Sequence, residues 1–107
     1  MRVLLHLRFH VQAGRREDFL GFLRDAVPFY EEPGGIRIGL LQDAADPDRF
    51  VEVVEYADEE TYRRDQARVE ADPAMQGYLS RWRELLVLPL EMEVLHDLGE
   101  ALQREER

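Results

Sequence analysis

Residues 3–11, VLLHLRFHV, alternate along their whole length. Val3, Leu5, Leu7, Phe9 and Val11 fall on one side, and Leu4, His6, Arg8 and His10 on the other. A period of two marks an extended strand. A strand with one wholly apolar side needs cover on that side and tolerates a different environment on the other. The pattern therefore excludes an all-helical bundle and calls for a sheet with one protected face.

Three later stretches read the same way. IRIGLLQ (36–42) and RFVEVVEY (49–56) flank the polar turn DAADPD (43–48), which predicts an antiparallel hairpin. LPLEMEVLH (88–96) alternates again, and Pro89, which has no N–H to give a ladder, places its start at a sheet edge. Between the first two strands, Ala13 and Gly14 make a turn. Phe19, Leu23, Ala26 or Val27, and Tyr30 then recur at helical spacing, behind Glu17 and Asp18 in the first turn. Pro28 is expected to kink or end that helix, and EEPGG (31–35) to stop it. After the third strand, Asp58 is the N-cap of one helix and Asp72-Pro73 opens another. The second carries an apolar stripe of Met75, Tyr78, Leu79, Trp82, Leu85 and Leu86. DLGEALQREER is expected to add a short C-terminal helix.

The order is βαββαβ. With right-handed crossovers it gives an α+β, ferredoxin-like domain over residues 1–107: an antiparallel four-stranded sheet with the helices on one face. The apolar sets Val3/Leu5/Leu7/Phe9, Ile36/Ile38/Leu40, Val51/Val53 and Leu90/Met92/Val94 are assigned to the helix side. The open face is then expected to carry His6, Arg8, His10 and Arg37. It also takes Leu41, Phe50, Glu52, Val54 and Tyr56, and Glu91, Glu93 and Leu95. That mixture suits neither water nor a dry core, and a second copy of the chain across a two-fold axis satisfies it.

Composition removes whole classes of function. The formal net charge of −9 argues against nucleic acid as a partner. No run is apolar for the ~18–20 residues of a membrane helix, and His6 and Arg8 interrupt the stretch where a leader's apolar region would lie, so a cytoplasmic protein is expected. Absence of cysteine and lysine removes thiolate and Schiff-base chemistry, and Ser80 and Thr61 are the sole side-chain hydroxyls of their types. Histidines at 6, 10 and 96 match no metal-ligand spacing, and no cofactor is expected.

FVEVVEYADEETYRRD (50–65), followed by ADPAMQGYLSRWREL (71–85), resembles the dimeric α/β-barrel superfamily, with its antibiotic-biosynthesis-monooxygenase-like and NIPSNAP-like domains. There an acid and an aromatic close the third strand, and a helix with an Asp-Pro break follows. The resemblance implies a homodimer whose sheets face each other, together with a small-molecule cavity. Members of the superfamily that are cofactor-free oxygenases lean on asparagine and tryptophan. This chain has no asparagine, and its single tryptophan, Trp82, lies on the core stripe.

Two functions from different classes follow. In the first, the chain is a small-molecule-binding or cofactor-independent enzyme, monooxygenase-like if oxygen takes part and isomerase- or cyclase-like if not, working on an enolisable or phenolic substrate between the sheets. His6 or His10 takes the proton, and Arg8, Arg37, Glu52 and Tyr56 bind the substrate. His6 and His10 lie roughly 13 Å apart along their strand, too far to share one metal within a subunit. In the second, the chain is a non-catalytic homodimeric interaction or scaffold module, and the same charges pair across strands or subunits.

Overall fold

The computed structural model of the chain describes residues 1–103. Its strands are β1 (Val3–Val11), β2 (Ile36–Gln42), β3 (Arg49–Tyr56) and β4 (Leu86–His96), and its helices are α1 (Arg16–Glu31), α2 (Glu59–Ala71) and α3 (Pro73–Glu84). The strands form one antiparallel sheet in the order β2-β3-β1-β4, with β1 and β3 central, which is the expected ferredoxin-like α+β arrangement. A 3-10 turn at Gly99–Leu102 stands in place of the expected C-terminal helix, and the rest of that stretch lies outside the described residues.

Alternation in β1 lays Val3, Leu5, Phe9 and Val11 under the helices, all buried. From α1 come Phe19, Phe22, Leu23, Ala26 and Tyr30, and from α3 Met75 and Trp82. Phe9 meets Phe19 and Trp82 edge-on, each at 5.5 Å between ring centres, and Phe19 lies 5.0 Å from Phe50. This aromatic cluster fills one end of the layer. A smaller one of Val3, Leu5, Ile36, Val54 and Tyr56 fills the other, and Leu7 and Ile38 touch both.

The register corrects one expectation. Val3 pairs with Tyr56, Leu5 with Val54, Leu7 with Glu52 and Phe9 with Phe50, so all four β3 residues point at the helices. Val51 and Val53, opposite Arg8 and His6, take the open face instead. The physical reason is bulk. Burying Phe50, Val54 and Tyr56 removes far more apolar area from water than burying two valines, enough to carry one carboxylate along with it.

A second difference lies in α1, which runs through Pro28 to Glu31. Pro28 and Arg24 are both exposed, so water can satisfy the Arg24 carbonyl that loses its donor. The Arg68 guanidinium then caps the helix end, with Nη2 donating to the Phe29 carbonyl at 2.6 Å. Beyond it, Gly34 and Gly35 hold φ of 83° and 74°, left-handed values that side chains disfavour, and turn the chain into β2. Glu31 also shields that edge strand by accepting the Ile38 N–H at 2.8 Å.

Asp58 and Asp72 cap as expected. The Asp58 carboxylate accepts the Thr61 N–H, and the Asp72 carboxylate accepts the Ala74 N–H. β4 is an edge strand, and Pro89 falls in the irregular stretch where its register against β1 shifts between Arg8 and His10.

Candidate functional site

A cavity of about 440 Å³ opens between the helix side of the sheet and the helices. Its floor is apolar: Leu5 and Leu7 from β1, Ile36 and Ile38 from β2, Val54 from β3 and Leu90 from β4. Val69, Met75 and Leu79 supply apolar wall from α2 and α3. The polar groups are few and come from separate elements: Glu52 and Tyr56 from β3, Tyr30 from α1, Asp65 and Gln66 from α2, and Trp82 and Arg83 from α3. An apolar pocket with a few converging polar groups is the ordinary form of a small-molecule site.

These polar groups are incompletely satisfied. Tyr30 Oη, Glu52 Oε1, Asp65 Oδ1 and Trp82 Nε1 are buried and lack hydrogen-bond partners. Buried polar atoms are nearly always paired in folded proteins, so several bare ones around one cavity mark a place for a ligand or ordered water.

Glu52 is the deepest of them, 4% exposed. Burial pushes its pKa up from 4.5 to about 7. The Trp82 indole pulls the other way, although it stops short of hydrogen-bonding geometry. Burial foremost, and the charge of Glu52 next, push the Tyr30 hydroxyl up, so it stays a neutral O–H donor. An acid poised near neutrality, flanked by an N–H and an O–H donor, can accept a proton and then stabilise the resulting anion.

At the other end, the Tyr56 hydroxyl donates to Asp65 Oδ2 at 2.6 Å. Burial first, and this bond second, push the Tyr56 hydroxyl up. Arg68 Nη1 stands 3.9 Å from Asp65 Oδ1, beyond hydrogen-bonding reach.

Of the residues singled out from sequence, Glu52 and Tyr56 therefore lie in this cavity, whereas His6, Arg8, His10 and Arg37 lie on the opposite face. There Arg8 Nη2 donates to Glu93 Oε1 at 3.2 Å, and His6 Nδ1 is 3.7 Å from the same oxygen. His10 Nε2 is 3.1 Å from Asp46 Oδ2, and Arg37 is exposed opposite Glu55 in the register. Glu52 and Tyr56, expected on the open face, lie on the helix side instead, and on the open face Arg8 pairs with Glu93 without them. Tyr30, Asp65 and Trp82 join the site without a sequence signal. Tyr30 and Trp82 fall on core-like helical stripes, and Asp65 is one acid among many, so spacing alone gives no sign of them. Among the described residues, no group of three or more histidine, aspartate or glutamate side chains is gathered as for a metal ion. No helix among the described residues is long and apolar enough to cross a membrane.

Comparison with solved structures finds the same fold repeatedly. A point mutant of SnoaB, a cofactor-independent oxygenase from Streptomyces nogalater, superposes with a TM-score of 0.76 at 20% identity, covering 91% of this chain and 93% of its own. A conserved protein from Methanosarcina mazei Go1 gives 0.75 at 14% identity, over 89% and 91% of the two chains. A NIPSNAP family protein from Agrobacterium tumefaciens gives 0.71 at 15% identity, over 97% and 100%. No curated protein sequence matches the chain. The family model for antibiotic biosynthesis monooxygenase matches residues 2–76, and with the fold in agreement the chain belongs to the antibiotic biosynthesis monooxygenase family.

Proposed function

We propose that the chain is a cofactor-independent, monooxygenase-like enzyme that binds a flat phenolic or enolisable substrate in the cavity between sheet and helices, with Glu52 as its base. The observation that carries this reading is the meeting of Glu52, Tyr30 and Trp82, each with a bare polar atom, around one apolar space. SnoaB, described as a cofactor-independent oxygenase, supports the reaction class.

Glu52 takes the proton of an acidic C–H or of the adjoining hydroxyl. The Trp82 N–H and the Tyr30 O–H then hold the oxyanion. Dioxygen adds at the activated carbon, and the resulting hydroperoxide loses water. A CH2 group and one O2 become a carbonyl and one H2O. The apolar floor keeps bulk water from competing for the proton and strengthens both hydrogen bonds.

The test is oxygen uptake with an anthrone and with a hydroquinone, wild type against Glu52→Gln at pH 8. One O2 consumed per substrate, with a loss of roughly 10²-fold or more in the variant, is expected for a general base. Equal turnover by both proteins removes Glu52 from the mechanism.

The open face supports a second copy of the chain. Leu4, Val51 and Val53 sit on it beside the Arg8–Glu93 pair, and Leu41 and Leu95 are 59% and 38% exposed there. His6 or His10 as base, with Arg8 and Arg37 as anion clamps, would act only in a pocket formed between two copies. Glu52 is preferred because its cavity is complete within one chain. A non-catalytic homodimeric module is the alternative, favoured by that same face. Its mark would be a stable dimer in which no ligand ever enters the cavity.

A further inference from the structure

We propose that Asp65, held by Tyr56, is a second anchor of the cavity and selects ligands that carry a hydroxyl at each end of a flat apolar body. The inference rests on reading the cavity as a ligand site and adds a specificity that the Glu52 end does not supply.

Three observations carry it. Asp65 is the one buried residue of α2, 9% exposed, on a helix whose other side chains are mostly polar. Its two oxygens have different fates. Oδ2 receives the Tyr56 hydroxyl, whereas Oδ1 is buried without a hydrogen-bond partner, on a residue that lines the cavity. A tyrosine–aspartate bond made for stability alone would not need the second oxygen held dry and bare, because an unmet buried acceptor is costly. Arg68 Nη1, 3.9 Å from Oδ1, sets a positive charge beside it but gives it no hydrogen bond, because the guanidinium donates to the Phe29 and Tyr30 carbonyls.

Position supplies the rest. Glu52 and Tyr56 share one face of β3, four residues apart, so their Cα atoms are roughly 13 Å distant. Val54 lies between them, with Leu5 and Ile38 beside it. The cavity thus has an acceptor at either end of an apolar floor. A carboxylate oxygen is an acceptor, so the far end of the ligand must present an O–H. An ether or carbonyl there would set lone pairs against Asp65 Oδ1.

Calorimetric titration with 2,6-dihydroxynaphthalene and with 6-methoxy-2-naphthol tests this. The two probes share a body and differ in the one far-end donor. Wild type should bind the diol about tenfold more tightly, as expected where a buried acceptor gains its missing hydrogen bond. In Asp65→Asn, the amide oxygen keeps the Tyr56 hydroxyl and the NH2 turns to the cavity, so the preference should vanish or invert. Asp65→Ala should abolish it too, and serves if the asparagine variant does not fold. General damage to the fold weakens both probes alike and leaves their ratio unmoved. Glu52→Gln should do the same, lowering both affinities with the ratio preserved. A wild-type ratio near one, or a ratio retained in the Asp65 variants, overturns the second anchor and leaves the base at Glu52 standing. Failure of wild type to bind either probe overturns both.

Discussion

Leu7 on β1 and Glu52 on β3 stand directly opposite each other in the antiparallel register, so both side chains leave the sheet toward the helices. A carboxylate in that position is flanked along its own strand by Phe50 and Val54, both buried. Such a site favours the protonated form, and the preference is measurable.

Glu52 titrates near 4.5 when unfolded and about 7 when folded. Between those values the native state holds the extra proton, so stability falls as pH rises through the window and levels off above it. Glu52→Gln should therefore be more stable than wild type at pH 8, by up to roughly 3 kcal/mol, and equal to it below pH 4.5. Urea unfolding at pH 4 and pH 8 checks both limits. A constant difference at the two pH values would contradict the raised pKa.

Trp82 combines core packing with an unpartnered N–H. Trp82→Phe keeps an aromatic ring beside Phe9 but deletes the bare N–H, so affinity for a phenolate-forming ligand should drop about tenfold, at a smaller loss of stability than alanine brings. Trp82→Ala should cost about 3–5 kcal/mol of stability as well. Parallel titration and denaturant melts separate the two effects.

Arg68 ties α2 to the end of α1 through the Phe29 and Tyr30 carbonyls and stacks 4.5 Å over the Phe29 ring. Arg68→Met keeps the stem and loses the charge-assisted bonds, so stability should fall by about 1.5–3 kcal/mol. Urea midpoints at unchanged slope are the measurement.

Val53 lies at the middle of the open face, opposite His6 on one side and Gly39 on the other. Val53→Glu should convert a dimer to monomers in sedimentation velocity at micromolar concentration, with far-UV circular dichroism unaltered. A wild type already monomeric under those conditions would remove the second copy.

Strand limits at 36–42 and 49–56 and both helix caps are legible in the sequence because alternation and Asp-led helix starts are local signals. The facing of β3 is not. Phe50, Glu52, Val54 and Tyr56 share one side of that strand, and Arg49, Val51, Val53 and Glu55 the other, so each side holds an acid and no alternation rule decides between them. What decides is the surrounding packing: Phe9 and Phe19 offer Phe50 an aromatic cluster, and Glu52 is carried inward with it. The candidate site inherits that ambiguity. Sequence marks Glu52 and Tyr56 as side chains of interest but sets them beside the histidines, and Asp65 becomes visible only once Tyr56 turns to meet it.

Asp72 ends α2 and begins α3 in a single residue, its backbone extended at φ −84° and ψ 114°. Asp65 hangs from the helix before that joint and Trp82 from the helix after it. The gauge of the chamber is therefore governed at one bend. Relatives with a different dihedral there would admit bulkier or slimmer guests while every strand beneath stayed as it is.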